Sequence, residues 1–297
     1  MSCAATSLAC DHLIDLPAPI DPLPDAPLAL RNGLADHPLF EPARIKQLLR
    51  SMPRQAIEVR AVETTDGHDG SYRRGPNQPD ADPVEAYERL EERPTWILVH
   101  DSWLHDADFG ALTRQYIAEL AQRLPSLAEG VFDIGCWLFL SSGRSVVHFH
   151  ADPDQSFLNQ IRGSKTVFVY PAAILPAPQI EDLIVTQDQK SVTYDPSYEE
   201  LGFEPVHLGP GESVFLPLYA PHRVVNDEGL SVSFNVGFHT VTSRRQRAVW
   251  YVNRELRRLG LVPTPVGDRP WADAWKRRAE PLLRAKNKLA RTIRGGR

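Results

Sequence analysis

Residues 145–171, SVVHFHADPDQSFLNQIRGSKTVFVYP, hold the densest set of groups that could do chemistry. His150 and Asp152 stand two apart, and on a β-strand residues i and i+2 point to the same face. One strand end can therefore aim an imidazole and a carboxylate at one point. Two neutral imidazoles and one carboxylate hold Fe(II) while leaving coordination positions open. The third ligand has to come from a distant strand, and His222, within GPGESVFLPLYAPHRVVN, is the candidate. Any one of these residues has an ordinary reading as a packed core group; it is their coincidence that argues for a metal. Lys165 sits on the apolar run SKTVFVY, where a lysine turned inward needs an anionic partner. His148 shares the parity of His150 and Asp152, so it too should face inward, as a group behind the ligands or facing a substrate. The acid lies four residues from it, too far for His148 to replace His150 as the first ligand.

These groups need strands to carry them. Alternation or apolar content predicts strands at QAIEVRAVE (from Gln55), TWILVH (95–100), DIGCWLFL (133–140), the run ending at His150, and SKTVFVY (164–170). Four more short strands follow at 204–208, 213–216, 222–226 and 230–238, separated by Gly/Pro/Asp turns. That spacing suggests a double-sheet jelly roll or barrel. Helical periodicity marks 37–52, 84–92, a segment opening at Asp108, Arg244–Leu259, and a last helix opening at Pro270 that Pro281 should bend or divide. Residues 172–200 read as irregular, interrupted by Pro176, Pro178 and Pro196, and 66–82 as a mobile polar loop. The proline-rich residues 1–35 read as an extended arm, 36–242 as the main domain, and 243–297 as a basic helical segment.

Composition narrows the class. An apolar content of 42% in 297 residues supports a real core. Cys3, Cys10 and Cys136 are too few and too scattered for a disulfide framework, which fits a reduced, cytoplasmic setting. The N-terminus lacks a basic leader region and reads as neither signal peptide nor anchor, and no apolar run is long enough for a bilayer. The net charge of −5 is unevenly spread: residues 243–297 carry 16 Lys/Arg against 4 Asp/Glu. No nucleic-acid motif accompanies that charge, so a solvated helical face packed near an acidic body is expected, with neither nucleic acid nor membrane as a partner.

The run H-x-D, then NQIRGSK, then PLYAPH, then SFNV resembles the jumonji-C and cupin-like 2-oxoglutarate oxygenases, and most of all their asparaginyl-hydroxylase-like branch. The resemblance covers roughly residues 130–240. It implies a mainly β fold with flanking α, in which a double-stranded β-helix (a cupin-like jelly roll) carries N-terminal and C-terminal helices. It also implies Fe(II) and 2-oxoglutarate as cofactors, with His150, Asp152 and His222 as metal ligands and catalytic centre. By the same resemblance Lys165 binds the far carboxylate of 2-oxoglutarate, and Asn235 and Tyr219 line the co-substrate pocket. Many relatives carry a small hydroxyl residue just before the first histidine. Here those positions are Val147, His148 and Phe149, leaving Ser141, Ser145 or Ser156 as hydroxyl partners.

The activity implied is hydroxylation of a C–H bond, with O2 consumed and succinate and CO2 released. The substrate is left open between a protein or peptide side chain and a small molecule. An alternative is a cupin-like binding or regulatory module that keeps a metal without turnover, and a third is a metal enzyme that uses no co-substrate. The last two helices are amphipathic: Val249, Val252, Leu256 and Leu259 share one stripe, and Trp271, Trp275, Leu282, Leu283 and Leu289 another. A stripe must be buried somewhere. The related asparaginyl hydroxylase dimerises through C-terminal helices, which implies a homodimer here through residues after about Arg244.

Overall fold

The computed structural model describes residues 12–16, 23–62, 75–187, 191–201 and 205–295. Most of the loop expected over 66–82 lies outside these residues, and so does the side chain of Leu289.

Two antiparallel sheets form the centre. The larger is built from β1 (Ile14–Asp15), β2 (Leu28–Asn32), β3 (Ile57–Ala61), β4 (Thr95–His100), β5 (Val131–Ser141), β7 (Gln155–Arg162), β10 (Glu212–Leu216) and β12 (Ser231–Thr240), in the order β1-β2-β10-β7-β12-β5-β4-β3. The smaller contains β6 (Val146–His150), β8 (Lys165–Val169), β9 (Val206–Leu208) and β11 (His222–Asn226), in the order β6-β11-β8-β9. This is the expected jelly roll.

One face of the larger sheet is covered by α1 (Pro42–Ser51) and α4 (Ala107–Arg123). Phe109, Leu112, Tyr116 and Leu120 form the buried stripe of α4, at helical spacing. Asp106 caps that helix by accepting from the amides of Asp108 and Phe109. The Tyr116 hydroxyl donates to Asn159 Oδ1 at 3.0 Å, and Asn159 Nδ2 donates to the carbonyl of Phe234. A buried polar bridge thus joins helix, β7 and β12. The opposite face of this sheet looks across a smaller apolar core, including Leu158, Val167, Val214 and Val224, toward the second sheet.

Three expectations need correction. Among its described residues, the proline-rich arm joins the main domain: β2 pairs with β10, and Leu13, Ile14, Leu16, Leu30 and Leu34 are buried in the main core. Its prolines masked a short alternating strand. Residues 172–200 are not wholly irregular, because α5 (Ala177–Thr186) carries buried Ile180, Leu183 and Ile184. Pro178 stands in the first turn, where a missing N–H costs nothing, so it opens the helix. Strand β7 went unread because it is buried on both faces, with Gln155, Ser156, Asn159 and Gln160 inside alongside its apolar residues.

The chain ends in α6 (Val241–Arg258) and α7 (Pro270–Gly295). A capping box between Thr240 and Ser243 opens α6. Val249 and Val252 are buried, and Arg254 and Arg257 bond Asp182 and Glu181 of α5. Helix α7 packs on α6, with Asn287 Nδ2 donating to the Tyr251 hydroxyl and the Arg284 guanidinium over the Tyr251 ring, and it runs through Pro281 without a break. Trp250 packs against the cluster behind β6 and β8, as a core aromatic should, whereas Trp271 and Trp275 are 65% and 41% exposed. Among the described residues no helix is long and apolar enough to cross a membrane.

Candidate metal and co-substrate site

The site grows from the register of the smaller sheet. His222 opens β11 directly across from His150, which closes β6. Their rings lie 4.2 Å apart. Asp152 follows just beyond the end of β6, its carboxylate oxygens 3.9 Å from His150 Nε2 and 3.7 Å from His222 Nε2. Among the described residues these three form the one His/Cys/Asp/Glu group with ligand atoms close enough to share an ion.

The tautomers suit a metal. His150 Nδ1 lies 2.7 Å from the His148 carbonyl, and His222 Nδ1 lies 3.1 Å from the Ala220 carbonyl. A carbonyl only accepts, so each Nδ1 carries the proton and each Nε2 turns its lone pair toward Asp152. Second bonds of this kind fix the orientation of metal-binding imidazoles. Both histidines are buried, and the donor set is two nitrogens and a carboxylate. The residues fit a divalent transition metal with open positions.

The triad opens into a cavity of ≈ 920 Å³ between the sheets. At the end of the cavity marked by Asn226, Lys165 is 4% exposed and donates through Nζ to Ser233 Oγ at 2.5 Å. Ser233 in turn donates to Gln160 Oε1 at 2.7 Å. No carboxylate pairs with Lys165 among the described residues, and burial lowers its pKa to about 7. A buried ammonium with neutral neighbours only is a ready seat for an anion. Asn235 lines the same cavity between Ser233 and the triad end, and its buried Oδ1 has no hydrogen-bond partner.

The remaining expected residues divide. His148 lines the cavity, its ring 5.1 Å from that of His150, and its carbonyl orients that ligand. Of the three serines, Ser141 lines the cavity; Ser145 bonds Ser142 and Asn226, and the hydroxyl of Ser156 is buried away from it. Tyr219 is not among the lining residues: it packs into the cluster of Phe149 and Tyr170 behind the smaller sheet. Its φ of 60° makes the tight turn that delivers His222. The hydroxyl partner of Lys165 is Ser233, which the sequence reading missed. The signal was its position on the Asn235 strand, two residues back and on the same face.

Close backbone approach shapes the wall near Asp152. Gly135 and Gly237 pair across β5 and β12, and a Cβ on Gly237 would lie 2.2 Å from Asp154 Oδ2 and 2.7 Å from the Trp137 ring. The two glycines leave room for the indole and for Asp154. Burial, reinforced by the Asp152 charge, pushes the Asp154 carboxyl well above the ordinary range.

A match to the cupin-like domain family spans residues 24–244. The chain belongs to that family. None of the curated proteins searched matches it. Among solved structures, the ribosomal oxygenase YcfD of Escherichia coli is similar at 18% identity and a TM-score of 0.47, over 86% of this chain and 62% of that one. The same protein in complex with cobalt and 2-oxoglutarate aligns at 21% identity and a TM-score of 0.47, over 82% and 56%. The DMSP lyase DddQ of Ruegeria pomeroyi aligns at 15% identity and a TM-score of 0.24, over 36% and 39%. The chain therefore spans less than two thirds of the length of the YcfD structures.

Proposed function

We propose that the protein is an Fe(II)- and 2-oxoglutarate-dependent oxygenase that hydroxylates a C–H bond. The balanced reaction consumes 2-oxoglutarate, O2 and R–H and yields succinate, CO2 and R–OH. The observation that carries this reading is the pairing, in one cavity, of the His150/Asp152/His222 group with a buried Lys165 that lacks an acidic partner. The triad would hold the metal, which supplies oxygen activation when bound. Lys165, held by Ser233, would bind the far carboxylate of the diacid. Asn235 would bond the co-substrate between them, and Tyr219 keeps only the role of shaping the turn before His222. A metal-keeping module without turnover would have no use for Lys165. The test is succinate formation from 2-oxoglutarate with iron and ascorbate: the parent forms it, His150→Ala does not, and Lys165→Met does so only at much higher 2-oxoglutarate. A parent that forms none defeats the proposal.

The substrate we propose is a protein or peptide side chain or a small molecule reaching the triad through this cavity, in a cytoplasmic setting, where Cys136 is a buried free thiol. Mass spectrometry of candidate peptides and extracts for a product heavier by one oxygen atom identifies it. We also infer a homodimer through the last helices. Helix α6 buries Val249 and Val252 against its own chain, but Leu259, Leu261, Val262, Trp271, Trp275 and Leu282 remain exposed past its end and along α7, and a two-fold pair would bury them. Light scattering on the full chain should give a dimer that Trp271→Glu with Leu282→Glu dissociates. A monomeric parent at micromolar concentration refutes it.

A further inference from the structure

We propose that Glu199 and Arg223 are positioning residues for the metal site, acting from the back of the smaller sheet on the strand that carries His222. This rests on reading the triad as a metal site. Successive residues of a strand face opposite ways, so His222 turns into the cavity and Arg223 turns out. Arg223 is nevertheless 2% exposed. Its guanidinium lies over the ring of Phe168, its register partner on β8, at 3.6 Å. Its Nε donates to the Tyr170 hydroxyl at 3.2 Å, and its Nη2 reaches both Glu199 oxygens, at 3.3 and 3.4 Å.

Glu199 gathers more than the arginine. Its Oε1 also accepts from the Tyr170 hydroxyl at 2.6 Å and the Tyr194 hydroxyl at 3.0 Å. The amide of Tyr170 bonds the carbonyl of Pro221, the residue just before His222. Phe149, the residue just before His150, packs its ring against Tyr170, Tyr194 and Tyr198 at 5.4, 5.4 and 5.8 Å. One carboxylate therefore ties residues 191–201 to β11 and to the end of β8, and its tyrosine partners carry the contact on to β6. Both metal histidines have a chain neighbour locked in this cap.

The consequence falls on His222. Its own orienting bond, to the Ala220 carbonyl, is 3.1 Å, against 2.7 Å for the equivalent bond of His150. Its aim depends correspondingly more on where β11 lies. Without the Glu199 charge, a dry guanidinium next in the chain has lost its anion and must turn toward water. The backbone of His222 moves with it.

Co(II) is the probe, added to the full chain. Glu199→Gln keeps the shape and removes the charge. It should weaken Co(II) binding roughly 10- to 100-fold, the usual effect of removing an orienting partner, and change the visible absorption bands of the bound ion at saturation. Arg223→Lys, which keeps a charge but loses the planar bonds, should do the same in smaller measure. Tyr116→Phe serves as the control, since it removes a buried hydroxyl remote from the triad; it should lower the melting temperature and leave the Co(II) affinity and spectrum as in the parent. Parent-like binding by Glu199→Gln overturns the proposal, and so does weaker binding with an unchanged spectrum, which would reflect stability alone. A parent that binds no Co(II) overturns the triad reading and this inference together.

Discussion

Replacing Lys165 by methionine should make the metal-free protein more stable and nearly blind to 2-oxoglutarate. Burial lowers the Lys165 pKa from 10.5 to about 7, with Ser233 as the hydrogen-bond partner of its ammonium. In the unfolded chain the group keeps its ordinary pKa. Between about pH 7 and 10.5 the unfolded state thus holds one proton more than the folded state, and stability rises with pH across that window. Below it both states are protonated, and the whole cost of burying the charge is present. At about 1.4 kcal/mol for each pH unit, that cost is roughly 5 kcal/mol. Methionine fills a similar volume but gives up the Ser233 bond, worth about 1 kcal/mol. A net gain of roughly 2–4 kcal/mol is expected at pH 6, fading to nothing as the pH approaches 10.5. The functional loss has the opposite sign. Removing one charge-assisted bond from a sheltered site costs on the order of 2–3 kcal/mol, or roughly 30- to 150-fold in Kd. Thermal melts at pH 6 and 9, with calorimetric titration of 2-oxoglutarate into the Co(II)-loaded protein, measure both effects. A variant that melts below the parent at pH 6, or one that keeps the parent affinity, refutes the reasoning.

Three further outcomes follow from the same structure. His150→Ala and Asp152→Ala should each abolish tight Co(II) binding, read by chelator competition, and leave the far-UV circular dichroism of the parent. Gly237→Ala should lower both the melting temperature and the Co(II) affinity, because its Cβ would displace Asp154 and Trp137. Glu58, whose pKa is lowered to about 2 chiefly by its bond to His100, contributes stability that is present above its ordinary 4.5 and lost as pH falls toward 2. Glu58→Gln should therefore flatten the acid limb of the unfolding curve in that window.

The strands that carry the chemistry were legible because they alternate or are uniformly apolar, and because His-x-Asp is a pattern of period two. Strand β7 was not, since sequence cannot show that Asn159 and Gln160 are buried to satisfy Tyr116 and Ser233. Tyr219 takes a positive φ that a tyrosine rarely adopts, and nothing in the spacing of PLYAPH announces that turn. The Glu199–Arg223 pair joins residues on separate elements with no spacing to announce it. Trp271 and Trp275 follow helical periodicity, but periodicity identifies a shared face and not what covers it.

The register of the smaller sheet also bears on which anion the cavity would take. His222 stands opposite Val169, and Asn226 stands opposite Lys165. Four residues of strand separate the two ends, about 13 Å of backbone at about 3.3 Å each. The lysine stem bridges part of that distance, since Nζ bonds Ser233, and Asn235, whose Oδ1 is orphaned, stands two residues further along β12 toward the triad end. A dicarboxylate chelating the metal through one end must cover the rest. Such a ligand would satisfy the metal, the asparagine and the ammonium together, whereas a monoacid would leave the ammonium in a dry site with its Ser233 bond alone. Binding should therefore raise the Lys165 pKa, so the affinity of the parent for 2-oxoglutarate ought to fall as pH climbs above about 7. With the charge removed, Lys165→Met should bind what remains with no such dependence. The pH profile thus reports on the lysine independently of the metal, and a flat profile in the parent would remove the anion from Lys165.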